Sequence, residues 1–151
     1  SNNLYLGDPA DNSFDFTIQT VGVYENAYII EQACNIVISK LMELDGTIDD
    51  DSIIITPSNN IVENCYDITL VNENYTIGNM LNYEVYALFY SEMRLVDFVG
   101  YNKAHPHDAD SILKISLTDK TQSVDNIKTI LKKCIERSIK KLMGIRRYFK
   151  P

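Results

Sequence analysis

The sequence contains no tryptophan, two histidines, three cysteines, four prolines and six glycines in 151 residues. Each shortage excludes something. Cys34, Cys65 and Cys134 are odd in number and widely spaced, which fits neither a disulfide framework nor a zinc site built from close ligand pairs. They read as reduced, mostly buried thiols of an intracellular protein. His105 and His107 flank one proline in a turn, with no Cys or Glu at ligand spacing, so no metal site is expected. The glycines are scattered, and Gly78 and Gly100 stand alone rather than in a phosphate-binding loop. With no nucleophile, base or metal set supported by neighbours, neither a catalytic residue nor a cofactor is expected. The longest apolar run, Val85 to Tyr90, is far too short to span a bilayer, and the acidic, Asn-rich start is unlike a signal peptide.

Basic residues are also scarce, but only in one part of the chain. Residues 1–119 carry 4 basic and 19 acidic side chains, net −15, and residues 120–151 carry 10 basic and 2 acidic, net +8. A basic terminal segment can bind nucleic acid or can complement an acidic neighbour. Its amphipathic spacing favours the second reading, because the apolar side must be buried somewhere. A nucleic-acid-binding module using this helix directly is the alternative function.

What is present is enough apolar residue, 45% of the chain, for a sizeable core. Phe14, Phe16 and Ile18 alternate with polar residues and predict a strand over 14–23. A helix follows, capped by Asn26, with Ile29, Ile30, Ala33, Cys34, Val37 and Leu41 at helical spacing and Gly46 as its stop. The aspartates around Gly46, the Ile53-Ile54-Ile55 run and Thr56-Pro57-Ser58-Asn59-Asn60 mark a linker over 46–60 between units 1–45 and 61–151. Tyr66, Ile68 and Leu70 then read as a strand. Thr76 caps a helix with Ile77, Met80, Leu81, Val85, Leu88 and Phe89 on its apolar stripe. Strands at Leu95–Tyr101 and Ile112–Leu117 precede a long helix after Ser123, whose apolar positions include Ile127, Leu131, Cys134, Ile135 and Leu142. The order predicts an α/β (α+β) fold, a small sheet packed by helices and ending in a long C-terminal helix.

Two linked motifs add a resemblance. Glu73-Asn74-Tyr75-Thr76-Ile77-Gly78-Asn79-Met80-Leu81, followed by Val96-Asp97-Phe98-Val99-Gly100-Tyr101-Asn102-Lys103-Ala104-His105-Pro106, resembles the RNA polymerase family made up of eukaryotic subunit 11 and its archaeal L-type counterpart. That family reads E-D-H-T-L-G-N-x-L-R and then V-x-F-x-G-Y-x-x-P-H-P-L, over roughly residues 61–149 here. Asn74 and Tyr75 replace its Asp and His, Asn82 its Arg, Ala104 its first Pro and His107 its Leu. Gly7-Asp8-Pro9-Ala10 and Phe14 to Gly22, with the helix after them, resemble the closing strand and helix of RNA polymerase subunit 3 and its archaeal D-type counterpart. The chain is thus similar to the end of a subunit 3 homologue joined to a subunit 11 homologue, a fusion expected in large cytoplasmic DNA viruses of asfarvirus type.

The resemblance implies the dimerisation fold of the polymerase alpha chain, subunit 11-like, and a non-catalytic role as a platform for the largest and second-largest subunits of a DNA-dependent RNA polymerase. Other implied partners are the remaining N-terminal part of the subunit 3-like half and further small subunits, with DNA met only through the complex. The implied interface residues are Glu73, Thr76, Gly78, Asn79, Leu81, Phe98, Gly100, Tyr101, His105 and Pro106. Ile127, Leu131 and Ile135 of the terminal helix are added for helix-to-helix contact. The implied location is the cytoplasm of an infected cell and the virion if the protein is viral, and the nucleus otherwise.

Overall fold

The computed structural model of the chain describes residues 16–59, 64–72, 75–103 and 110–150. In chain order the elements are α1 (Phe16–Asp49), β1 (Ile54–Pro57), β2 (Cys65–Leu70), and α2 (Tyr75–Glu84), which runs on into a π-helix (Val85–Glu92). β3 (Val96–Asn102), β4 (Ser111–Leu117) and α3 (Val124–Tyr148) follow. The strands form one antiparallel sheet in the order β1-β2-β4-β3. This is the expected α+β class.

Strand alternation decides which side of the sheet is covered. Ile68 stands opposite Leu113, and both Tyr66 and Val99 stand opposite Ile115, so these residues share one face. On it Ile68, Leu70, Leu113, Ile115 and Leu117 are fully buried, each burial stabilising by roughly 1.5–3 kcal/mol. Helices cover this face: α2 lies against β3 and β4, and α3 against α2 and α1. The other face is mixed. Lys114 at its centre reaches Asp67 at 2.5 Å and Ser58 Oγ at 2.6 Å, beside the half-exposed Phe98.

The terminal helix follows its pattern. Ser123 donates its backbone N–H to Asn126 Oδ1 at 3.0 Å at the start of α3, and Ile127, Leu131, Cys134, Ile135 and Leu142 are all buried. They join Cys34, Leu41, Leu44 and Ile48 of α1 in a single core.

Four expectations are corrected. Residues 16–23, expected as strand, belong to α1, while Phe14 and Asp15 lie outside the described residues. The alternation was only a few residues long. With no proline between Phe16 and Asp49, the packed helix propagates through the stretch, since extending a helix is far easier than nucleating one. Gly46 does not stop α1, because burial of Ile48 just beyond it holds the helix to Asp49. The stop is Asp51, in the left-handed region at φ 66°, a conformation aspartate tolerates. The span 46–60 is accordingly no free linker: it supplies the end of α1 and then β1, whose Ile55 pairs with Ile68. Finally, α2 starts at Tyr75, so Thr76 stands in its first turn rather than at its cap.

The widening of α2 into a π-helix was not anticipated. The Met93 N–H donates to Leu88 O at 2.8 Å, five residues back, and the wide turns bring Val85, Leu88 and Phe89 inward together.

Candidate subunit interface

The two motifs meet at Gly78 and Tyr101. A Cβ placed on Gly78 would stand 2.0 Å from Tyr101 Cε1, closer than any side chain could be tolerated, so the glycine is the seat of the tyrosine ring. That contact locks the start of α2 to the end of β3. Tyr75 meets the same ring edge-to-face at a centroid distance of 6.2 Å and an angle of 84°. Lys103 Nζ lies 5.8 Å from the Tyr75 ring centroid. Asn79, exposed one turn on from Tyr75, completes a patch of Tyr75, Asn79, Tyr101 and Lys103.

The implied interface residues therefore separate into groups. Thr76 and Asn79 are exposed on α2, and Gly78 is buried under Tyr101. Phe98 and Gly100 are on the open face of the sheet, where the Phe98 ring lies over Gly100, its Cζ 3.0 Å from where a Cβ would be. Leu81, Ile127, Leu131 and Ile135 are buried inside the chain. They are core residues and offer no surface to another subunit, because α1 and α2 of the same chain already cover them. Glu73, His105 and Pro106 lie outside the described residues. Tyr75 was missed as a site residue because it appeared only as a departure from the family pattern.

A buried carboxylate was missed too. Glu84 is 3% exposed and accepts from Arg137 Nε at 3.0 Å and from Lys141 Nζ at 2.5 Å, two charge-assisted bonds that offset the cost of its desolvation. Its carboxylate raises the Arg137 pKa above the ordinary guanidinium value. Burial, helped by the Glu84 charge, pushes the nearby Cys134 thiol up to about 12. A signal for Glu84 existed: it falls in phase with Ile77, Leu81 and Leu88 on the apolar stripe.

The basic terminal helix finds acids within the chain. Lys132 reaches Asp49 at 2.7 Å and Asp45 at 3.1 Å, and these raise its pKa. Lys128 pairs with Asp51, and Arg146 donates to Asn35 Oδ1 at 2.6 Å. These contacts run α1 and α3 antiparallel. Among the described residues no group of His, Cys, Asp and Glu side chains could hold a metal ion, and no helix is long and apolar enough to cross a membrane.

Residues 65–147 match the model of the RNA polymerase Rpb3/Rpb11 dimerisation domain. The chain belongs to this family. The match runs from the first residue of β2 to the last turn of α3, and so takes in both the Gly78–Tyr101 seat and the Glu84 cluster. A search of curated proteins finds no match. The Rpb3/Rpb11-type domain is a non-catalytic dimerisation module of RNA polymerase that pairs with a paralogous subunit, and α1 and β1 precede the matched span.

Proposed function

We propose that the chain is an assembly subunit of a multisubunit DNA-dependent RNA polymerase, and that the patch of Tyr75, Thr76, Asn79 and Lys103 docks onto its largest subunit. The carrying observation is the Gly78–Tyr101 seat within an Rpb3/Rpb11 dimerisation domain. A glycine committed to positioning one ring holds two surface segments in fixed relation, which a docking surface needs and a core alone does not. The second-largest subunit and further small subunits are the remaining partners in this reading, which carries the protein to wherever that polymerase works: cytoplasm and virion for a virus, nucleus otherwise.

The fusion reading, with residues 1–45 as the end of a subunit 3-like half, is supported by α1. Cys34, Leu41, Leu44 and Ile48 of α1 pack into the same core as Ile127, Leu131 and Ile135 of α3, as a dimerisation contact made within one chain would. That support comes from the helix alone, since residues 16–23 are helical.

The test is co-expression with the other polymerase subunits of a Tyr75→Ala, Asn79→Asp double variant. Tyr101 is left intact, because its ring fills the space above Gly78. Unchanged circular dichroism with loss of the largest subunit from the purified complex is expected. Full assembly and transcription by the variant would refute the proposed docking site.

A further inference from the structure

The cations of α3 are not equally matched. Those of its first half have acids at hand: Lys128 has Asp51, Lys132 has Asp45 and Asp49, and Lys133 has Glu136 at 3.3 Å. Arg137 and Lys141 share Glu84. Of the others, Arg146 has only a neutral amide, and Lys140 and Arg147 have no anionic partner among the described residues. Lys140 and Arg147 stand seven residues apart and so share one side of the helix. Between them lie Met143, 39% exposed, and Gly144, above which a Cβ would meet nothing within 4 Å. Glu136, Ile139, Lys140, Met143, Gly144 and Arg147 line a shallow open depression of about 510 Å³.

We propose that this groove docks an acidic, amphipathic helix of a partner protein, with apolar side chains on the Ile139–Met143–Gly144 floor and carboxylates against Lys140 and Arg147. Charge complementarity selects the occupant. Everywhere else on α3 a lysine or arginine is answered by a carboxylate or amide of this chain; at the groove the one carboxylate, Glu136, is engaged by Lys133, and carboxylates for Lys140 and Arg147 have to come from outside. The floor selects protein over nucleic acid. It offers aliphatic and thioether surface with no accessible aromatic face for base stacking. The chain's net charge of −7 also opposes a polyphosphate, with a charge every ~1.7 Å, more strongly than a sparsely charged helix. The inference does not depend on the polymerase reading.

The test measures fluorescence anisotropy of the full chain with three labelled probes: an amphipathic helix-forming peptide of Leu and Glu, the same peptide with Ser for Leu, and an oligo-dT strand. The Leu/Glu peptide is expected to bind best. Lys140→Glu with Arg147→Glu should weaken it by at least about tenfold, the equivalent of ~1.4 kcal/mol, and Met143→Asp should bring its affinity down to that of the Ser peptide. Lys40→Glu with Arg94→Glu, the same charge change elsewhere, should leave binding within about twofold, and thermal melts should show all variants folded. The proposal is overturned if oligo-dT binds more tightly than the peptide, if the Ser peptide binds equally well, or if both charge-reversal pairs act alike.

Discussion

The two helices α2 and α3 lie side by side and present opposite surfaces. From Tyr75 to Ser91 the only charged residue is Glu84, and it points inward. The exposed side is Tyr75, Asn79, Tyr83, Tyr86 and Tyr90, with Tyr86 and Tyr90 stacked at 5.0 Å. Helix α3 carries eight lysines and arginines, of which Lys132, Arg137 and Lys141 are held by acids of α1 and α2 and Lys128 by Asp51 just past α1. The difference separates two tasks. On α3, charge fixes the chain to itself. On α2, an aromatic face without charge has the composition found at the centre of protein interfaces, where charged residues are depleted and tyrosine is enriched. Glu84 links the two, where Arg137 and Lys141 of the charge-rich helix clamp the charge-poor one.

That contrast can be broken most severely at the seat of the α2 patch. Gly78→Ala places a methyl group 2.0 Å from the Tyr101 ring, and overpacking of this kind costs ~3 kcal/mol. Chemical denaturation should show the loss. Adding Tyr101→Ala should recover part of it, giving a coupling energy in a double-mutant cycle, and strictly additive costs would mean the ring is not the obstacle. Next in size is the clamp. Glu84→Ala removes a buried carboxylate, but Arg137 and Lys141 are 35% and 49% exposed and can turn to water. The cost should then be ~2 kcal/mol, below the ~3–5 kcal/mol of a fully buried pair. A neutral effect would show that α2 and α3 need no electrostatic link.

Much of this arrangement was legible in the residues. The apolar stripes of α2 and α3 and the period-two strands β2 and β4 placed the core, because burial follows periodicity directly. The motifs around Gly78 and Tyr101 marked two segments that the fold brings into contact. Their contact was not legible, since nothing in a sequence says that one glycine lies under one distant ring. Leu81 was assigned to an interface when it is core, and Ile127, Leu131 and Ile135, expected in helix-to-helix contact, make it with α1 of the same chain: apolar phase shows that a side chain is buried and not which chain buries it. The strand expected at 14–23 failed because a short alternation gave way to helix propagation, and the linker failed because the Ile53-Ile54-Ile55 run finds its partner strand across the turn.

A smaller effect comes from the interior where the two helices meet. The Cys134 pKa is about 12 in the folded chain against an ordinary 9.0. Between those values the unfolded chain has lost the proton that the folded chain keeps. Stability conferred by the neutral thiol is therefore complete below pH 9 and falls as pH rises towards 12. At pH 10 the loss should be about 1 kcal/mol relative to pH 8, and Cys134→Ala should lose less over the same interval. Iodoacetamide should leave Cys134 unmodified at neutral pH until denaturant is added.

The smallest effect is expected on the exposed pairs between α1 and α3, and it is the one that separates the two kinds of surface most cleanly. Lys132 with Asp45 and Asp49, and Lys128 with Asp51, are open to solvent, so 1 M salt, with a Debye length near ~3 Å, screens them. The sheet depends on none of these pairs. Hydrogen exchange in 1 M NaCl should accelerate at the α1 amides around Leu41 to Ile48 and leave those of β2 and β4 unchanged. In an Asp45→Asn, Asp49→Asn variant the α1 amides should already exchange faster at low salt and respond little to more. Equal acceleration of helix and sheet, or a variant that responds to salt like the parent, would mean that apolar contact of Leu41, Leu44 and Ile48 holds α1 on α3 without help from charge.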